Sequence, residues 1–168
     1  MQHYGKATRG MSFDYEASFR LGHQYAGYVV DELAKYDVIA ELQPLEFAKS
    51  VADRHRFTLY EKDVITTAGV LEVKSSSRVF GNNPRDYPAD NLIVDTAHGF
   101  ANKVRKPVAY CMVSQRTGAI VVVPVSSVAL WWQDVKYDKQ RQMEDVFLMA
   151  PKRVLRAFVE LVDWIKAR

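Results

Sequence analysis

The chain is short of several things that would define it at once. One cysteine in 168 residues excludes a disulfide framework and a thiolate zinc cluster. With 8 Gly and 6 Pro there is no Gly/Ser linker, low-complexity tract or internal repeat to divide it. No long hydrophobic run is present either. The most apolar stretch, Ala119–Trp132, is interrupted by Pro124, Ser126 and Ser127 and is too short to cross a bilayer. Met1-Gln2-His3-Tyr4-Gly5-Lys6 lacks the apolar core of a signal peptide, so a cytoplasmic, non-secreted protein without a membrane partner is expected. A net charge of +3 is far below that of histone-like, tail-driven binders. The motifs G-x-x-x-x-G-K-[ST], G-x-G-x-x-G and G-x-S-x-G are all missing, which removes local support for nucleotide-driven and serine-hydrolase chemistry.

What is present suits one globular domain over residues 1–168. The chain is 48% hydrophobic and 12% aromatic, too apolar to be disordered and long enough to bury a core. Residues 1–13 read as a loose arm. Apolar residues at three- and four-residue steps (Phe19, Gly22, Tyr25, Ala26, Val29, Val30, Leu33) predict a helix from Asp14 to Tyr36, with Ser12 or Asp14 as N-cap. A short strand at Val38–Leu42 follows, then a connection over Pro44–Arg56. Phe57–Thr66 and Val70–Ser75 predict a hairpin about Thr67-Ala68-Gly69. Residues 77–91, with two Pro and three Asn, read as a long loop. A helix at Asp95–Val104, doubly buried strands at Val108–Gln115 and Ala119–Val125, and a helix from Pro151 to Ala167 complete the pattern. The expected class is α/β, with helices flanking a central mixed sheet.

The hairpin carries the chemistry. A two-residue turn at Ala68-Gly69 sets Asp63 opposite Lys74 and Ile65 opposite Glu72. Period-two alternation then brings Asp63, Glu72 and Lys74 to one face. Carboxylates that are neighbours on one face of a hairpin repel unless a cation lies between them. Hard oxygen ligands suit Mg²⁺, which takes one or two protein carboxylates, and a fixed ammonium alongside suits phosphodiester hydrolysis. An acid-x-Lys triplet is weak by itself. A second copy, Asp134-Val135-Lys136, reads as solvated surface in a region with no partner strand. Glu72-Val73-Lys74 differs because it lies in an apolar strand, has an acid in the preceding strand, and runs into Ser75-Ser76-Ser77-Arg78.

Asp63, then eight residues, then Glu72-Val73-Lys74 and Ser75-Ser76 resembles the signature of the PD-(D/E)XK nuclease superfamily, the restriction-endonuclease-like and junction-resolvase-like enzymes. The predicted order is similar to that family's core of helix, three strands, helix and strand (αβββαβ), here with a further C-terminal helix. The resemblance implies Asp63 and Glu72 as ligands of Mg²⁺ or Mn²⁺ and the Val73 carbonyl as a further ligand. It implies Lys74 as the residue positioning or activating the attacking water. The implied reaction is DNA phosphodiester hydrolysis, on branched or junction DNA for a chain of this size, leaving a 5′-phosphate and a 3′-hydroxyl. A homodimer is the arrangement by which many such enzymes cut two strands.

Two departures stand out. Lys62 replaces the usual proline. Ala26, in Gly22-His23-Gln24-Tyr25-Ala26, stands where the resemblance would put a metal-holding glutamate, and Gln24, Glu16 and Glu32 are only nearby polar residues, none of them assigned that role. An inactive DNA-binding or assembly protein keeping the fold is therefore the alternative. A third reading makes the acidic pair structural and the Pro/Asn-rich loop an interaction site.

Local basicity fits DNA. Arg78 and Arg85 follow the Glu72–Lys74 strand, and Lys103, Arg105 and Lys106 end the next helix; all five are candidate phosphate contacts. Cations suited to a helix C-terminal dipole explain the second group equally well. Cys111 reads as a core thiol, and the four His lack metal-ligand spacing. Trp131-Trp132 reads as packing or a dimer contact rather than a stacking platform.

Overall fold

The structure is a computed structural model that describes residues 15–44, 63–139 and 141–168. The arm, the connection at 45–56, and the strand expected from Phe57 as far as Lys62 lie outside those residues. Helix α1 spans Tyr15–Ala34. Residues 17–22 are exposed (Phe19 48%), while Ala26, Val29 and Leu33 are buried. The helix stops where Asp37 turns left-handed (φ 59°) and the N–H of Val38 returns to the Leu33 carbonyl at 3.2 Å.

Strands β1 (Ala40–Leu42), β2 (Val64–Thr66), β3 (Gly69–Ser76), β5 (Ala109–Ser114), β6 (Ile120–Pro124) and β9 (Arg156–Ala157) form one sheet in the order β1-β2-β3-β5-β6-β9. The β3–β5 pair is parallel and the other pairs are antiparallel, so the sheet is mixed. Strands β4 (Asn91–Thr96), β8 (Met143–Pro151) and β7 (Trp132–Asp138) form a second sheet in the order β4-β8-β7. The residues on either face of β5 and β6 enter different cores. Cys111, Val113 and Val122 pack with Ala26, Val29, Leu33 and the C-terminal helix. Tyr110, Met112, Val121 and Val123 pack with Leu92, Val94 and Ala150 of the second sheet. Burial on both faces is what the β-branched runs of these strands predict. No described helix is long and apolar enough to cross a membrane.

Four local expectations need correction. The hairpin pairs Thr66 with Gly69 and Ile65 with Val70, so Thr67-Ala68 is the turn. Glycine is used at the first residue of β3, where φ is 135° and an added Cβ would meet Val108 Cγ1 at 2.6 Å. The two-residue change of register preserves the faces but places Asp63, just before β2, level with Glu72 rather than with Lys74.

The helix expected at Asp95–Val104 is a strand followed by a shorter helix, α2 (Ala97–Asn102). Thr96 is its N-cap, with Oγ1 accepting the Gly99 N–H at 2.9 Å. The helix expected from Pro151 begins at Phe158 as α3 (Phe158–Lys166). Val154 and Leu155 are instead drawn into the core beneath the second sheet, while Phe158, Leu161, Val162 and Ile165 cover the α1 side. Asp134-Val135-Lys136 does have a partner strand, β8, although its Asp and Lys remain about half exposed and paired at 3.0 Å. The 77–91 loop includes a short 3-10 helix at Pro84–Asp86 and buries Phe80 and Tyr87, whose ring centroids lie 5.2 Å apart.

Candidate active site

Strand alternation in β3 sends Val73 toward the α1 core and Glu72 and Lys74 toward the second sheet. Backbone directions alternate as well. The carbonyls of Val70 and Ser76 accept N–H groups of Val108 and Gln115 on the β5 side. The N–H and C=O of Val73 therefore face the β2 side, two residues past Leu71, which pairs with Val64, the first residue of β2. Asp63 reaches that position. Its Oδ2 accepts the Val73 N–H at 2.6 Å, which pins a carboxylate to the strand edge beside the Val73 carbonyl.

On the inward face, Lys74 Nζ lies 3.1 Å from Glu72 Oε1 and 3.6 Å from Asp95 Oδ1. Lys103 Nζ lies 3.4 Å from Glu72 Oε1 and 3.5 Å from Asp95 Oδ2. Glu72 and Asp95 are 6% and 8% exposed, whereas the Lys74 side chain is 35% exposed. Asp95 is further held by the Tyr110 hydroxyl at 2.8 Å and the Thr96 N–H at 2.9 Å. Trp131 braces Tyr110 edge-on at 6.2 Å between centroids and donates its own N–H to Ser127. It is thus a packing residue.

Burial alone would favour a neutral Lys74, but the carboxylates of Glu72, Asp95 and Asp63 outweigh it and hold the amine above its ordinary range. Lys74 is a permanent ammonium near neutral pH. It can donate hydrogen bonds to a water or a phosphate oxygen and cannot accept a proton. Burial likewise opposes ionisation of Asp95, and Lys74, Lys103, Tyr110 and the Thr96 N–H reverse that, lowering it below the usual carboxylate range. The hydroxyl of Tyr110 is pushed up by burial and by Asp95, so it remains a donor. Three carboxylates and two ammonium groups leave the cluster one negative charge in formal count.

Asp95 and Tyr110 are the members that sequence reading did not assign to the site, and Lys103, expected as a phosphate contact, is instead largely buried between Glu72 and Asp95. Asp95 arrives through a β-bulge: the β4–β8 register slips between Ile93 and Asp95, so Val94 and Asp95, consecutive residues, are both buried. The short α2 helix then returns Lys103 to the same place. Alternation counted along the sequence could not have shown either.

The other expected residues are dispersed. Arg78, Arg85 and Arg105 are exposed. Lys106 donates to the carbonyls of Phe100, Ala101 (3.0 Å) and Lys103 (3.0 Å), serving the helix end as a dipole partner would. Ala26 is buried in the α1 core. Of the nearby polar residues, Gln24 is exposed, Glu32 is paired with Lys35 at 2.5 Å, and the Glu16 side chain lies outside the described residues. The Cys111 thiol is pushed up to about 12 by burial, and then by the Asp63 charge, and is inert.

All the donors near the Val73 edge are oxygens, the set preferred by Mg²⁺ or Mn²⁺. Among the described residues no three His, Cys, Asp or Glu side chains converge into a metal-binding group. A divalent ion here would rest on one or two carboxylates with water completing its shell, which is the usual habit of Mg²⁺. Compared with protein-family models, curated proteins and solved structures, the chain matches none of them.

Proposed function

We propose that the protein is a metal-dependent DNA endonuclease of the PD-(D/E)XK kind. The observation that carries this reading is the pinned Asp63 carboxylate on the same strand edge as a buried Glu72 and a partly exposed Lys74. The order helix, three strands, helix, strand supports it too, with β4 interposed between β3 and α2. Asp63 and Glu72 would hold Mg²⁺ or Mn²⁺, with the Val73 carbonyl on the same edge. The ion would supply Lewis-acid polarisation of a phosphoryl oxygen and a more acidic bound water.

The chain's own groups divide the remaining work. Lys74, fixed as an ammonium, orients the attacking water by donating to it and offsets charge that grows on the phosphate in the transition state. Asp95 holds both lysines through its two oxygens and so sets the direction of Lys74. Tyr110 and Trp131 keep Asp95 in place and exclude water from behind the pair. The proton leaving the attacking water cannot go to Lys74; solvent on the open side is the available acceptor.

The test is nicking of supercoiled plasmid and of branched DNA in Mg²⁺. Expected are activity abolished by EDTA and loss of at least about 100-fold in Lys74→Ala, in line with removal of one transition-state donor. The second reading, an inactive DNA-binding or assembly protein that keeps this fold, draws on Lys103, whose ammonium already bridges Glu72 and Asp95. DNA binding without metal-dependent nicking selects that reading.

A further inference from the structure

Away from the acidic cluster, a groove of about 660 Å³ is lined by Arg85, Lys152, Arg153, Arg156 and Glu160. Its only acid is already engaged: Glu160 Oε2 accepts the Ala157 N–H at 2.7 Å at the start of α3. Arg156 donates to the carbonyls of Leu155 (3.1 Å) and Arg153 (3.5 Å), which leaves its charge unneutralised. The side chains of Arg85, Lys152 and Arg153 make no hydrogen bond or ion pair among the described residues. Four cations from two stretches of chain thus share a groove with one carboxylate, a formal balance of +3. An anionic ligand lying among them would offset their mutual repulsion.

The sheets place this groove at a measurable remove from the site. Val73 is paired with Cys111, Cys111 with Val122, and Val122 with Arg156. Three strand spacings separate Arg156 from Val73, about 14 Å. A second ruler agrees. Asn91 at the start of β4 pairs with Pro151, Lys152 N–H donates to Asp90, and Asp95 lies four residues further along β4, about 13 Å. At 3.4 Å per step, that is about four base pairs of duplex.

We infer that this groove holds the phosphodiester backbone of the nucleic acid about four base pairs from the scissile bond. The inference rests on the nuclease reading for the identity of the polyanion, and it names a contact surface that the acidic cluster does not contain. Backbone contacts of this kind set register on the duplex without reading sequence.

The experiment is fluorescence anisotropy with a labelled mixed-sequence duplex two helical turns long, in EDTA so that no strand is cut, across a salt series. Arg85→Gln/Arg153→Gln removes two exposed side chains that hold nothing in the fold. Binding should weaken about tenfold, and the log–log salt slope should shrink by about 1.8, or 0.9 per lost phosphate contact. Lys152→Gln alone should take about half that slope. Arg141→Gln, an equal charge loss at a side chain already paired with Asp145 at 3.2 Å, should leave both quantities unchanged. An unaltered slope in the double variant overturns the inference. So does displacement of the duplex by millimolar inorganic phosphate at constant ionic strength, which marks a small-anion site. Wild-type nicking separates the two readings. A protein that nicks but binds DNA independently of these side chains loses only the groove. One that binds through the groove and never nicks loses only the nuclease assignment.

Discussion

The Asp63 carboxylate accepts the backbone N–H of Val73 at 2.6 Å, at a place where, among the described residues, β3 runs on past its pairing with β2. One side chain therefore satisfies a strand donor and brings negative charge to the edge that the Val73 carbonyl also faces.

These two duties can be separated. Asp63→Asn keeps an acceptor for the Val73 N–H and removes the charge, whereas Asp63→Ala removes both. We predict that Asn costs less than about 1 kcal/mol of stability and Ala about 1–3 kcal/mol, since Ala leaves a buried donor unmet. Both should abolish Mg²⁺-dependent nicking. Urea unfolding beside the plasmid assay checks this, and activity surviving in the Asn variant would remove Asp63 from the metal-holding set.

Lys103 supplies half of the positive charge between Glu72 and Asp95. In Lys103→Met the two buried carboxylates retain only Lys74, and the loss expected for breaking a buried pair is about 3–5 kcal/mol. A divalent ion entering the same place would restore part of it. Mn²⁺ should therefore raise the melting temperature more in Lys103→Met than in the wild type, as differential scanning fluorimetry can measure. Equal shifts would mean that Lys103 and the ion do not share a position.

The pH dependence of stability follows from the same cluster. Asp95 is lowered in the folded state, so the stability it contributes is complete above the ordinary carboxylate value of about 3.9 and is lost as pH falls through its lower folded value. Cys111, Lys74 and Tyr110 are raised. Their contributions are complete below their unfolded values and are lost as pH rises above them. Cys111 opens that loss between its ordinary 9.0 and about 12, and Lys74 and Tyr110 continue it. Asp95→Asn should flatten the acid limb below about pH 4 and leave the alkaline limb in place. Denaturation midpoints measured at stepped pH test this, and an unchanged acid limb would argue against an ionised, buried Asp95.

Gly69→Ala probes the hairpin. The new Cβ would meet Val108 Cγ1 at 2.6 Å at a φ of 135°. A cost of about 2–4 kcal/mol is expected, combining overpacking with backbone strain. Because the turn sets the position of Asp63, nicking should fall even where the variant remains folded. Retained activity and stability would show that β3 can slide to another register.

Much of the fold was legible because it depends on local periodicity. The three-to-four-residue spacing of Ala26, Val29 and Leu33 and the apolar runs of β5 and β6 mark their own elements. Glu72 and Lys74, two apart on one strand, must share a face in any register. The start of the C-terminal helix is not legible, because Val154 and Leu155 continue its apolar spacing while serving a different core.

What the amino-acid order determined by itself is thus the α/β pattern, the doubly buried central strands, and the juxtaposition of Glu72 and Lys74. The third carboxylate and second ammonium at that place, Asp95 and Lys103, came from tertiary structure alone. A bulge rotates Asp95 inward against the alternation of its strand, and a six-residue helix brings Lys103 back across a separation of 31 residues from Glu72. Both depend on packing one sheet against another, which no spacing along a single segment encodes.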